Sequence, residues 1–162
     1  MSQLIVIAHN IRSTHNVGAL FRTAEGFGVT SIIISGYTPY PLRAQDPRLP
    51  HLSRKIHDAI HKTALGAEAM VPFRCYDTPP LARLKAEGYR LVALEQAADS
   101  IALPLYHAGP KTALLIGEEV HGIPQALLEQ CDDTIEIPMV GKKESFNVSV
   151  ATGIALYQLC LL

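Results

Sequence analysis

Apolar and polar positions along this chain fall into short alternating runs. The stretch "QLIVIA" is a compact apolar segment of strand type. In "NVGALFRTAEGFG", Val17, Leu20, Phe21, Ala24 and Phe27 recur at helical spacing and Gly28 supplies a stop, which predicts a helix. "TSIIIS" is β-branched and apolar on both faces, a second strand. Residues 36–62 break the pattern with prolines and mixed charge and read as a loop. A short helix is expected in "TALGAEAM", a strand in "VPFRCY", a helix in "PPLARLKAEG" and strands in "YRLVALE" and "KTALLIG". "IPQALLEQ" predicts a helix with Pro124 near its first turn, "DTIEIP" a strand, and the chain ends in a helix from Val148.

Strands that alternate with helices, several of them continuously hydrophobic, predict an α/β fold: a mostly parallel sheet flanked by helices. No repeat or linker divides the chain, so a single domain over residues 1–162 is expected. In such sheets ligands sit beyond the carboxyl ends of the strands, which gives polar residues there special weight. Composition changes little in this picture. With 48% apolar residues the chain can build a core, which excludes disorder. No apolar run approaches the ~18 residues of a membrane span and no signal peptide opens the chain, so a cytoplasmic protein without membrane contact is expected. The three cysteines form no CxxC pair, which favours buried thiols over a metal. A net charge of −1 excludes a uniformly basic surface and leaves room for a local patch.

Three stretches can carry chemistry. In "STHNVGALFR", Asn16 is a candidate N-cap, and Gly18 with Arg22 four residues on offers a bare patch beside a guanidinium, suited to a phosphate or to plain solvation. In "LLIGEEVHGIP", a buried strand ends at Gly117 and is followed by Glu118, Glu119 and His121: a candidate base, a metal site of no strong signature, or a solvated loop. In "PMVGKKESFNVSVATGIALYQLCLL", Ser145 or Asn147 can cap the last helix, while Gly141, Lys142 and Lys143 form a segment able to meet an anion. That helix is apolar almost all round, which predicts a homodimer with it in the interface.

In this order the three stretches resemble the signature motifs of the SpoU (TrmH-like) class of SPOUT RNA ribose 2′-O-methyltransferases. "NVGALFR" is similar to the first motif, "LLIGEEVHGIP" to the second and "IPMVGKKESFNVSVATGIALY" to the third; "KTALGAE" also recurs in the class. The resemblance implies a deep trefoil knot near the C-terminus, a bound S-adenosylmethionine and a homodimer. It implies that Leu94, Gly117, Ile137, Met139 and Ser145 hold the adenosine, with Glu95, Ile116 and Val148 nearby. Asn16, Arg22, Glu119 and Asn147 match the family's catalytic positions. The chain is similar to minimal members that lack an N-terminal RNA-binding extension. The RNA, a tRNA or an rRNA, would meet Arg22, Arg43, Arg48, Arg54, Lys55, Lys142 and Lys143. Competing readings are a SPOUT-fold protein that binds RNA without catalysis and a metal-dependent hydrolase built on Glu118, Glu119 and His121.

Overall fold

The computed structural model describes residues 3–162. Seven strands, β1 (Gln3–His9), β2 (Ser31–Ser35), β3 (Phe73–Tyr76), β4 (Arg90–Leu94), β5 (Ile101–Ala102), β6 (Lys111–Ile116) and β7 (Asp133–Glu136), form one sheet in the order β3-β2-β1-β6-β4-β7-β5. Every pairing is parallel. Such a sheet must be covered on both faces, and side-chain alternation along the strands supplies both coats. Leu4, Val6 and Ala8 of β1 and Leu114 and Ile116 of β6 face one core. Ile5, Ile7, Ala113 and Leu115 face the other. The first core is closed by α1 (Thr14–Gly26), α2 (Pro50–Ala64) and α5 (Val148–Leu161), the second by α3 (Leu81–Ala86) and α4 (Gln125–Leu128).

Two strands enter between strands that precede them in sequence. β6 lies between β1 and β4, and β7 between β4 and β5. The carboxyl ends of β4, β6 and β7 therefore meet, and the segment after β7 closes over them before α5 begins.

Several sequence expectations need correction. α1 starts earlier than expected: its N-cap is Ser13, whose hydroxyl accepts the Asn16 backbone N–H at 3.2 Å, so Asn16 lies inside the helix. Residues 50–62, expected as loop, belong to the fifteen-residue α2, which has proline at its first position. The expected helix over 63–70 is instead the end of α2 followed by a 3-10 turn at Ala67–Ala69. Gly18, expected to leave room for a ligand, leaves room for α2: a Cβ there would sit 2.1 Å from Thr63 Oγ1 and 2.2 Å from the Ile60 carbonyl oxygen. β5 is too short to leave a periodic signal.

Candidate active site

A cavity of about 720 Å³ opens at the carboxyl ends of β4, β6 and β7. All eight residues expected around the adenosine line it: Leu94, Glu95, Ile116, Gly117, Ile137, Met139, Ser145 and Val148. Strand ends supply the first four, the segment between β7 and α5 supplies Ile137, Met139 and Ser145, and Val148 is the first residue of α5. Its shape is set by close backbone packing. Glu118 and Gly122 exchange backbone hydrogen bonds at 3.1 and 2.9 Å, closing a tight turn after β6. Gly122 adopts φ +70°, which favours glycine, and a Cβ there would lie 2.2 Å from Glu95 Oε2 and displace that carboxylate. Glu95 holds the turn in place by accepting from the Ile123 N–H at 3.0 Å. Gln96, the next residue, donates to the Glu144 carbonyl at 2.6 Å and fixes the opposite wall.

Beside the cavity, three residues far apart in sequence form one cluster. Asn16, 6% exposed, donates from Nδ2 to Glu119 Oε1 at 3.0 Å, and its Oδ1 accepts from Asn147 Nδ2 at 3.2 Å. Glu119 also accepts the backbone N–H groups of Arg12 and Ser13 at 3.1 and 3.3 Å. Burial pushes the Glu119 carboxyl up, and these donors outweigh it, holding the group below the usual carboxylate range. Asn147 caps α5, accepting the Ser149 N–H at 2.9 Å. Asn147 and Glu119 line the cavity. The cluster thus ties α1, the β6 turn and the start of α5 together.

Arg22 stands apart. It is exposed on α1, does not line the cavity, and makes no ion pair among the described residues. It directly precedes Thr23, which meets Gly153 of α5. Arg43, Arg54, Lys55, Lys142 and Lys143 are exposed. Arg48 is not available as a phosphate contact. Its guanidinium pairs with both oxygens of Asp46, donates to the carbonyls of Tyr40 and Pro41 at 2.8 and 3.0 Å, and stacks 3.6 Å from the Tyr40 ring centroid. It fastens its own loop. Glu118 and Glu119 do not converge on a shared point: Glu118 takes His121, and Glu119 takes α1. Sequence reasoning missed Gln96 and Gly122, although both sit at strand ends where ligands bind in such sheets.

S-adenosylmethionine fits this lining. Leu94, Ile116, Ile137, Met139 and Val148 supply apolar walls for a purine. Five glutamates (Glu95, Glu118, Glu119, Glu136 and Glu144) and no lysine or arginine line the cavity, a field that suits a sulfonium cation.

Residues 3–157 match the profile of the SpoU rRNA methylase family. The chain belongs to that family. Among SpoU relatives it is similar to the tRNA (guanosine(18)-2′-O)-methyltransferase of Aquifex aeolicus, at 32% identity over 96% of this chain and 67% of that protein. It is also similar to the 23S rRNA (guanosine-2′-O-)-methyltransferase RlmB of Xanthomonas axonopodis pv. citri, at 30% identity over 96% of this chain and 57% of that one. An AdoMet-bound rRNA methyltransferase from Sinorhizobium meliloti superposes with a TM-score of 0.76 and 25% identity over 96% of this chain and 55% of that one. The chain therefore spans little more than half to two thirds of these SpoU proteins. The likeness of solved SpoU structures to nearly the whole chain implies the C-terminal knot, in keeping with the insertion of β6 and β7 between earlier strands. No described helix is long and apolar enough to cross a membrane.

Proposed function

We propose that this chain methylates a ribose 2′-hydroxyl of a tRNA or rRNA, with S-adenosylmethionine as donor. The observation that carries the reading is the meeting of Asn16, Glu119 and Asn147 in one hydrogen-bonded cluster at the edge of an acidic cavity, in a chain of the SpoU family. When bound, the donor supplies a methyl already activated on sulfur. The chain must place the hydroxyl in line with it and exclude water. The apolar walls and Glu95 would hold the adenosine, and Ser145 would fix it from the segment before α5. Glu119 locks the Asn16 side chain, and Asn16 locks Asn147, so the two amides form a rigid rail along which the ribose would lie. Arg22 is a permanent cation and serves as a clamp on the target phosphate rather than as a base. Arg43, Arg54, Lys55, Lys142 and Lys143 would grip flanking phosphates.

The uncovered apolar side of α5 belongs to the same reading. Val150, Ile154, Tyr157 and Leu161 repeat at helical spacing and stay exposed, at 51%, 37%, 51% and 63%. A second copy of the chain is the occupant we propose, in a twofold dimer.

Incubating the purified protein with labelled S-adenosylmethionine and bulk RNA, then mapping ribose methylation by mass spectrometry, tests the activity. Incorporation into one ribose is expected. Calorimetric binding of the donor without incorporation into any RNA would leave a binding module and overturn the catalytic reading.

A further inference from the structure

The turn after β6 holds a carboxylate–imidazole pair whose imidazole has no part in the fold or the donor pocket as described so far. Glu118 Oε2 accepts the His121 backbone N–H at 2.7 Å and lies 2.6 Å from His121 Nδ1. The Glu118 side chain is only 8% exposed, and Arg12 Nη1 stands 3.7 Å from its other oxygen. Burial pushes this carboxyl up, and the contacts from His121 and Arg12 outweigh that, holding it below the usual range. Glu118 is thus a carboxylate and can only accept. The shared hydrogen must sit on His121 Nδ1, so in the neutral ring Nε2 is the nitrogen that carries the free lone pair. Among the described residues Nε2 has no partner, the side chain is 83% exposed, and His121 lines the cavity.

A ribose hydroxyl that gains a methyl must lose its proton to something. Glu119 already accepts from Arg12, Ser13 and Asn16 and is held acidic. Glu95 already accepts from the Gln96 and Ile123 N–H groups. Arg22 lies outside the cavity and carries no lone pair to offer. Glu136 and Glu144 also line the cavity, but carboxylates as a class are weaker bases than imidazole by about two pKa units.

We propose that His121, oriented by Glu118, accepts the ribose proton during methyl transfer. The 2′-oxygen forms its bond to the methyl carbon as the carbon–sulfur bond breaks, and the hydroxyl proton passes to Nε2. The positive charge lost from sulfur reappears on the imidazolium, where the Glu118 carboxylate stabilises it. The proton then leaves to water from the exposed ring. Charged groups around the ring are Glu118 and Glu119 of its own turn, Arg12 from the β1–α1 loop, and Glu95, Glu136 and Glu144 of the cavity.

This inference rests on the methyltransferase reading, and one experiment separates the two. Single-turnover methylation is measured for wild type, His121→Gln and Glu118→Gln across the pH range where imidazole titrates, with donor affinity followed by calorimetry. Loss of proton transfer is expected to slow His121→Gln by about a hundredfold or more, to abolish the acidic limb of the pH profile, and to leave donor affinity unchanged. Glu118→Gln should move that limb to lower pH, since the imidazolium loses its counter-charge. In the ligand-free protein, nitrogen NMR should show the neutral His121 ring protonated at Nδ1. An active wild type with His121→Gln within about twofold of it and the limb intact, or a ring protonated at Nε2, would overturn this proposal alone. A wild type that transfers no methyl would overturn both.

Discussion

Glu119 shows how one side chain can be structural and functional at once. Its two oxygens satisfy the Arg12 and Ser13 N–H groups and aim Asn16. Replacing it by alanine strands three donors; with each hydrogen bond contributing about 0.5–1.5 kcal/mol net, Glu119→Ala should lose about 1.5–4.5 kcal/mol in chemical denaturation. The same residue links stability to pH. Its folded carboxyl lies below the ordinary 4.5, so its contribution is complete above that pH and disappears as acid drives the folded group to protonate. Glu118 and Asp133 act with the same sign, from ordinary values of 4.5 and 3.8. The melting temperature should fall as pH drops below about 4.5, and less steeply in Glu119→Gln, a comparison that scanning calorimetry at a series of pH values checks. The motif residues Asn16, Glu119 and Asn147 were legible because their types and order are specific. Arg48 was misread because sequence displays a charge without its partners: Asp46 and Tyr40 become visible as partners only once the loop is folded.

Among the elements, α2 was hidden and α5 was plain. α2 buries only Ser53, Ile60 and Ala64, so its apolar stripe is thin, and its proline-rich approach masks Pro50 as a helix start. It also ends on Leu65 in a left-handed conformation, without glycine at that position. What fixes α2 is the bare backbone of Gly18, which lets it press against α1. Gly18→Ala must push apart Ile60 and Thr63, one of them through a backbone oxygen that cannot rotate away. We expect a loss of about 1–3 kcal/mol, read as a lower urea midpoint with an unchanged slope. An unchanged midpoint would mean that α2 rides loosely on α1. β1, β2, β4 and β6 were legible because burial on both faces leaves continuous apolar runs. The knot was not, since local periodicity carries no record of which strand enters between which.

At the scale of the whole molecule, the position of Arg22 and the uncovered face of α5 bear on each other. Arg22 does not reach its own cavity lining, yet it borders the seam where Thr23 meets Gly153 and Phe27 packs on Tyr157. If α5 pairs with α5 across a twofold axis, the guanidinium of one protomer is carried towards the cavity of its partner, and each site is built from two chains. This arrangement has an arithmetic signature. Arg22→Ala and Asn16→Ala protomers are each expected to be inactive alone. Mixed and allowed to exchange at equal amounts, half the dimers are hybrids, and one of the two sites in each hybrid combines an intact Asn16 with an intact Arg22 from its partner. About a quarter of wild-type activity should return. If Arg22 serves its own protomer, every site in the mixture carries a lesion and nothing returns. Native mass spectrometry of the mixture, confirming hybrid dimers, makes a null result decisive against sharing.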